Sequence, residues 1–62
     1  MITFRTTTDE DGTKNSSMIN PNAIVMVHET TKDDETIYTL TLMDGSVIVL
    51  NAEEFKPIRD SF

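Results

Sequence analysis

No cysteine and no tryptophan occur in these 62 residues, and there are only two glycines, two prolines and one histidine. Without cysteine there is no disulfide and no thiolate metal site. With a single histidine, one chain cannot build a conventional transition-metal site either. Five Lys and Arg stand against eleven Asp and Glu, a formal charge of −6. Phosphate contacts need Lys and Arg, so this balance argues against nucleic acid or an anionic membrane as a direct partner. No apolar run approaches the ~20 residues of a membrane span. The opening MITFRTTTDEDG lacks a basic segment followed by a long apolar core, so no signal peptide is expected. With the missing cysteines, this fits the cytoplasm, the location we expect. Asn15-Ser16-Ser17 matches a glycosylation sequon, which without a secretion signal reads as chance.

What is present suffices for one small domain, residues 1–62. A chain of this size buries only about 60% of its unfolded surface. With no covalent staple available, oligomerisation or docking on a partner is the natural supplement.

Residues 2–6 alternate and are rich in β-branched side chains, so they read as a strand. Polar residues 9–17 contain Gly12, and we read the segment around them, 8–18, as a flexible loop. Ile19-Asn20-Pro21-Asn22 leads into a second strand, residues 23–30. Its continuous apolar start, 23–27, predicts burial on both faces. A loop at 31–35 and two clear strands, 36–43 and 46–50, follow. Asp44-Gly45 between them predicts a two-residue type I′ turn, since both positions tolerate positive φ. That turn would set Leu42 against Val47, Leu40 against Val49 and Thr39 against Leu50. One face would then carry Tyr38, Leu40, Leu42, Val47 and Val49. The other would carry Ile37, Thr39, Thr41, Met43, Ile48 and Leu50, without a single charge.

The C-terminus supplies cover for one face. Asn51 with Glu54 three residues on is a capping-box pattern. Phe55, Ile58 and Phe62 recur at three and four as one apolar stripe. Pro57 would remove a hydrogen bond inside a continuous helix, so we expect a turn up to Phe55 and a second one opening at the proline. The expected fold is mainly β (α+β): a small four-stranded, mostly antiparallel sheet with a short C-terminal helical segment.

Chemistry-bearing patterns are few. Asp9-Glu10-Asp11-Gly12 resembles part of a calcium loop, but Thr7 and Met18 stand where ligands belong, leaving a polar turn. If the 31–35 loop closes with Thr30 opposite Thr36, His28 lies across from Tyr38 as packing; its neighbour Glu29 points to the other face. Asp33, Asp34 and Glu35 form an acidic tip: a solvated turn, or a contact for a basic protein surface. No phosphate loop, nucleophile elbow or aromatic-lined basic groove occurs. No enzyme activity and no cofactor are expected.

From INPNAIVMV through TLTLMDGSVIVL to the acidic, apolar-striped C-terminus, the chain resembles the small FlbD-like flagellar regulatory proteins and similar short bacterial or phage proteins. It departs from them in the 31–35 loop, in a longer N-terminal arm and in Ser46-Val47, where a basic pair is usual. The resemblance implies a small regulator acting by contact with other proteins and transfers no catalytic residue. We therefore expect a non-enzymatic interaction module that binds a protein and self-associates. Ile37, Met43, Ile48 and Leu50 are its candidate contact face, and Asp33, Asp34 and Glu35 a candidate acidic tip. Two alternatives are an acidic nucleic-acid mimic of the kind phages encode against DNA- or RNA-binding enzymes, and a subunit of a homo-oligomeric structural assembly.

Overall fold

Three tight turns organise the chain. In the computed structural model, which describes all 62 residues, strands β1 (Ile2–Thr8) and β2 (Lys14–Ile19) form one antiparallel hairpin. A 3-10 turn at Pro21–Ala23 leads into β3 (Ile24–Lys32), which pairs antiparallel with β4 (Glu35–Leu42) and so with β5 (Val47–Asn51). Helix α1 (Ala52–Arg59) follows β5 directly. The class is mainly β with one helix, as expected. The strands number five in two sheets rather than four in one.

The extra strand is β2, where a flexible loop was expected. The turn before it explains why. Gly12 N–H donates to the Asp9 carbonyl at 3.0 Å, and Asp9 N–H to the Thr13 carbonyl at 2.8 Å. Asp11 Oδ1 accepts from Thr13 N–H at 3.0 Å, and Gly12 takes φ +89°. Asp44-Gly45-Ser46 repeats this geometry. Gly45 donates to Leu42 at 3.0 Å, Leu42 to Ser46 at 2.9 Å, and Asp44 Oδ1 accepts from Ser46 N–H at 2.9 Å. Both are three-residue loops closed by a left-handed glycine.

The expected two-residue turn at Asp44-Gly45 is thus overturned, and the register moves by one residue. Leu40 faces Ile48, Tyr38 faces Leu50 and Thr39 faces Val49. The type I′ turn sits instead at Asp33 and Asp34, whose φ angles are 53° and 63°. It sets Lys32 against Glu35 and His28 against Thr39, not Tyr38.

One face of the three-stranded sheet carries Tyr38, Leu40, Ile48 and Leu50 and is covered by α1. Phe55 and Ile58 of the helix join Tyr38, Leu40, Leu50 and Ile19 in the buried core, with Ile2 and Phe4 of β1 packed against it. The Tyr38 and Phe55 rings stack at 4.1 Å between centroids, and the Arg59 guanidinium lies 5.3 Å from each. Arg59 also donates to the Tyr38 hydroxyl.

The capping box forms as expected: Glu54 N–H donates to Asn51 Oδ1 at 2.8 Å, and Asn51 N–H to Glu54 Oε1 at 3.0 Å. The helix then runs through Pro57 without the expected break. The carbonyl that loses its donor belongs to Glu53, an exposed residue in the first turn, where water serves. Phe62 lies beyond the helix and is exposed, so the apolar stripe ends at Ile58.

Candidate interaction surface

The opposite face of the three-stranded sheet has nothing over it. Strand alternation and the observed register place Met26, Ile37, Val47 and Val49 on it, around Thr39 and Thr41. The four apolar side chains are 57%, 41%, 55% and 56% exposed. His28 and Thr30 lie on the same face, beside Met26 along β3. Val47 and Val49 adjoin along β5, while Thr41 stands between Val47 and Met26 and Thr39 lies along β4 beside Ile37, so the face is uncharged on β4 and β5 and mixes apolar side chains with threonines.

The expected contact residues are divided by the corrected register. Ile37 stands on the open face. Met43 is exposed at the tip of the β4–β5 loop, out of the strand. Ile48 is half-buried on the core side, and Leu50, 1% exposed, belongs to the core outright. A shift of one residue exchanges the faces of β5 relative to β4, which is why Val47 and Val49 replace them. Met26 was hidden in the run 23–27, read as buried on both faces. In fact Val25 sits at a register irregularity and Met26 on the uncovered face, and both are exposed.

Asp33 and Asp34 form the β3–β4 turn and Glu35 opens β4, all exposed. An open groove of about 330 Å³ runs beside this tip between Thr30, Lys32, Asp33, Glu35 and Ile37, joining it to the apolar face. Asp9, Glu10 and Asp11 lie at the turn of the other hairpin, in a different sheet.

A larger cleft of about 570 Å³ lies between β1 and the start of α1. Two of its three charged side chains, Arg5 and Glu54, are engaged with each other; the third, Glu53, makes no such contact. Arg5 Nε donates to Glu54 Oε2 at 2.5 Å and Nη2 to Oε1 at 3.3 Å. This pair holds the Glu54 carboxyl below the usual carboxylate range, helped by the Asn51 N–H, and raises Arg5. Arg5 Nη2 also reaches the Val49 carbonyl at 3.3 Å, on the outer edge of β5. The sequence offered no sign of this contact, because its partners are 49 and 44 residues away.

No set of three or more His, Asp or Glu side chains converges as metal ligands would. No side-chain polar atom is buried without a partner. No helix is long and apolar enough to cross a membrane. No protein-family model, curated protein or solved structure matches the chain.

Proposed function

We propose that this chain is a non-enzymatic protein-interaction module, a small regulator or adaptor that binds a larger protein and self-associates through its three-stranded sheet. The observation that carries this reading is the open apolar face formed by Met26, Ile37, Val47 and Val49. Two whole-molecule quantities support it. A folded monomer of 7.0 kDa exposes about 4000 Å² by the usual size scaling. This chain exposes 4626 Å². Its radius of gyration is 12.7 Å, against about 10.6 Å for a compact domain of this length. The excess, roughly 600 Å², approaches what one partner contributes to a standard interface.

The acids favour this reading over nucleic-acid mimicry. The two acidic clusters, Asp9 to Asp11 and Asp33 to Glu35, sit at the turns of hairpins in separate sheets, where charge solvates a loop, rather than along one strand as a phosphate track would require. The resemblance to FlbD-like regulatory proteins points the same way.

Sedimentation equilibrium from low to several hundred micromolar tests self-association. A dimer or larger species is expected. A monomer throughout that range would overturn it.

A further inference from the structure

The two edges of the three-stranded sheet are not equivalent, and the difference assigns the seam between copies. In the β4–β5 ladder Leu42 bonds Ser46, so Ile48 and Leu50 turn their backbone groups toward β4. Val47, Val49 and Asn51 turn theirs outward. Two of these groups are engaged: the Val49 carbonyl accepts from Arg5, and the Asn51 N–H donates to Glu54. The β5 edge is therefore partly occupied, at its helix end, by the same ion pair that ties β1 to the helix.

The β3 edge is open. A two-residue loop makes Lys32 and Glu35 a hydrogen-bonded pair, so Thr30, His28 and Met26 face β4 with their backbone groups. Val27, Glu29 and Thr31 present their N–H and C=O groups to solvent along a nine-residue strand. None of these groups meets another part of the chain. Unpaired edges of this length are templates for another strand.

We infer that β3 pairs antiparallel with β3 of a second copy, joining two three-stranded sheets into one of six. This inference rests on the self-association proposed above and names its geometry. Charge selects the antiparallel sense. A parallel seam would set the two Asp33-Asp34 turns side by side, whereas the antiparallel seam holds them about 30 Å apart, several Debye lengths. Charge and backbone regularity also select the register. Centring the two-fold on Glu29 would oppose two carboxylates directly, and centring it on Val27 would engage the irregular Val25. Centring it on His28 pairs Val27 of each copy with Glu29 of the other, opposes no like charges, and moves the irregular Val25 out to the end of the seam, opposite Thr31. The outer faces of the two copies then join into one surface, with the two His28 at the seam and each Met26 opposite Thr30 of the other copy, on which a larger protein can dock.

The seam is tested in the full chain with two variants. The outward Glu29 N–H serves no bond within the fold, so Glu29→Pro removes a seam donor from each copy while the internal ladder keeps its bonds. Sedimentation should show dimer association weakened about a hundredfold, with cooperative thermal unfolding retained. In the second variant, His28→Cys places the chain's only thiol on the two-fold axis. Opposed residues there have Cα atoms about 4.5 Å apart, within disulfide reach. Oxidation with diamide should convert most of it to a covalent dimer, while Thr30→Cys, displaced along the seam, stays monomeric on a non-reducing gel. If the parent dimerises but His28→Cys does not cross-link and Glu29→Pro still dimerises, the edge seam is overturned and the open face carries self-association alone. If Glu29→Pro fails to fold, the His28→Cys and Thr30→Cys pair decides. A monomeric parent overturns both readings.

Discussion

Replacing Ile58 by alanine should remove a large share of the stability of this fold. Ile58 is fully buried, on the helix face that meets Tyr38, Leu40 and Leu50. Deleting three carbons costs about 2.4 kcal/mol in transfer free energy alone, at ~0.8 kcal/mol each. The cavity left behind adds to this, and buried Ile-to-Ala changes span about 2–5 kcal/mol. With only six buried residues, little surrounding core can collapse into the gap, so we expect about 3–4 kcal/mol. A chain of this length has a total stability of about 3–9 kcal/mol. Ile58→Ala should therefore be close to unfolding, and Ile58→Val, losing one methylene, should lose about 1 kcal/mol. Urea denaturation at one fixed protein concentration reads both, since self-association would otherwise shift the midpoint. A midpoint for Ile58→Ala within about 1 kcal/mol of the parent would show that the helix is not docked on the sheet.

Gly45→Ala meets no neighbouring atom but forces φ +88° on a residue with a Cβ, so it should cost about 1 kcal/mol by urea denaturation. Asp34→Gly relieves the second positive-φ position of the β3–β4 turn, at φ 63°, and should raise the melting temperature by a few degrees; a lower one would refute the turn assignment. Glu54 titrates below its ordinary value of 4.5 because Arg5 and the Asn51 N–H bond its ionised form. The unfolded chain therefore binds more protons between the two pKa values, so this stabilisation is complete above about pH 4.5 and is lost as pH falls through the folded value. Thermal melts of Glu54→Gln should show a flatter acid limb than the parent, with Asp11 and Asp44 supplying what remains.

What the sequence made legible follows the physics of each signal. Strands β3, β4 and β5 alternate or carry β-branched runs, and the pair Asn51 and Glu54 announces a helix start by its spacing. Strand β2, KNSSMI, has neither signal: five of its six residues are exposed, so no buried face imposes a period. Its evidence lay outside it, in Asp11-Gly12-Thr13, which repeats the Asp-Gly-hydroxyl pattern of Asp44-Gly45-Ser46. The register of β5 was misread because Asp-Gly serves both two- and three-residue loops. The hydroxyl residue after it decides, since Ser46 Oγ and N–H both bond Asp44 and hold it out of the left-handed region. That error exchanged Ile48 and Leu50 for Val47 and Val49 on the open face. The Arg5–Glu54 clamp was out of reach because nothing local relates residues so far apart.

The same clamp shapes the order in which the chain reaches its native state. All three strand pairings are hairpins between sequence neighbours, closed by loops of two or three residues. Such contacts form on the microsecond scale and need little loop-closure entropy. The first hairpin meets the helix through contacts distant in sequence: Arg5 on Glu54, 49 residues along the chain, and Ile2, Phe4 and Ile19 in the core with Phe55 and Ile58. Folding is therefore local until its last event, in which one end of the chain closes on the other. Until then Phe4 is uncovered and the β5 edge is as open as that of β3. Variants at Arg5 and Glu54 should speed unfolding far more than they slow folding, leaving the hairpins to form at the parent's rate. During that interval the β5 edge lacks the bond that Arg5 makes to the Val49 carbonyl, and the arrival of a single arginine is what makes the two edges of the three-stranded sheet unequal.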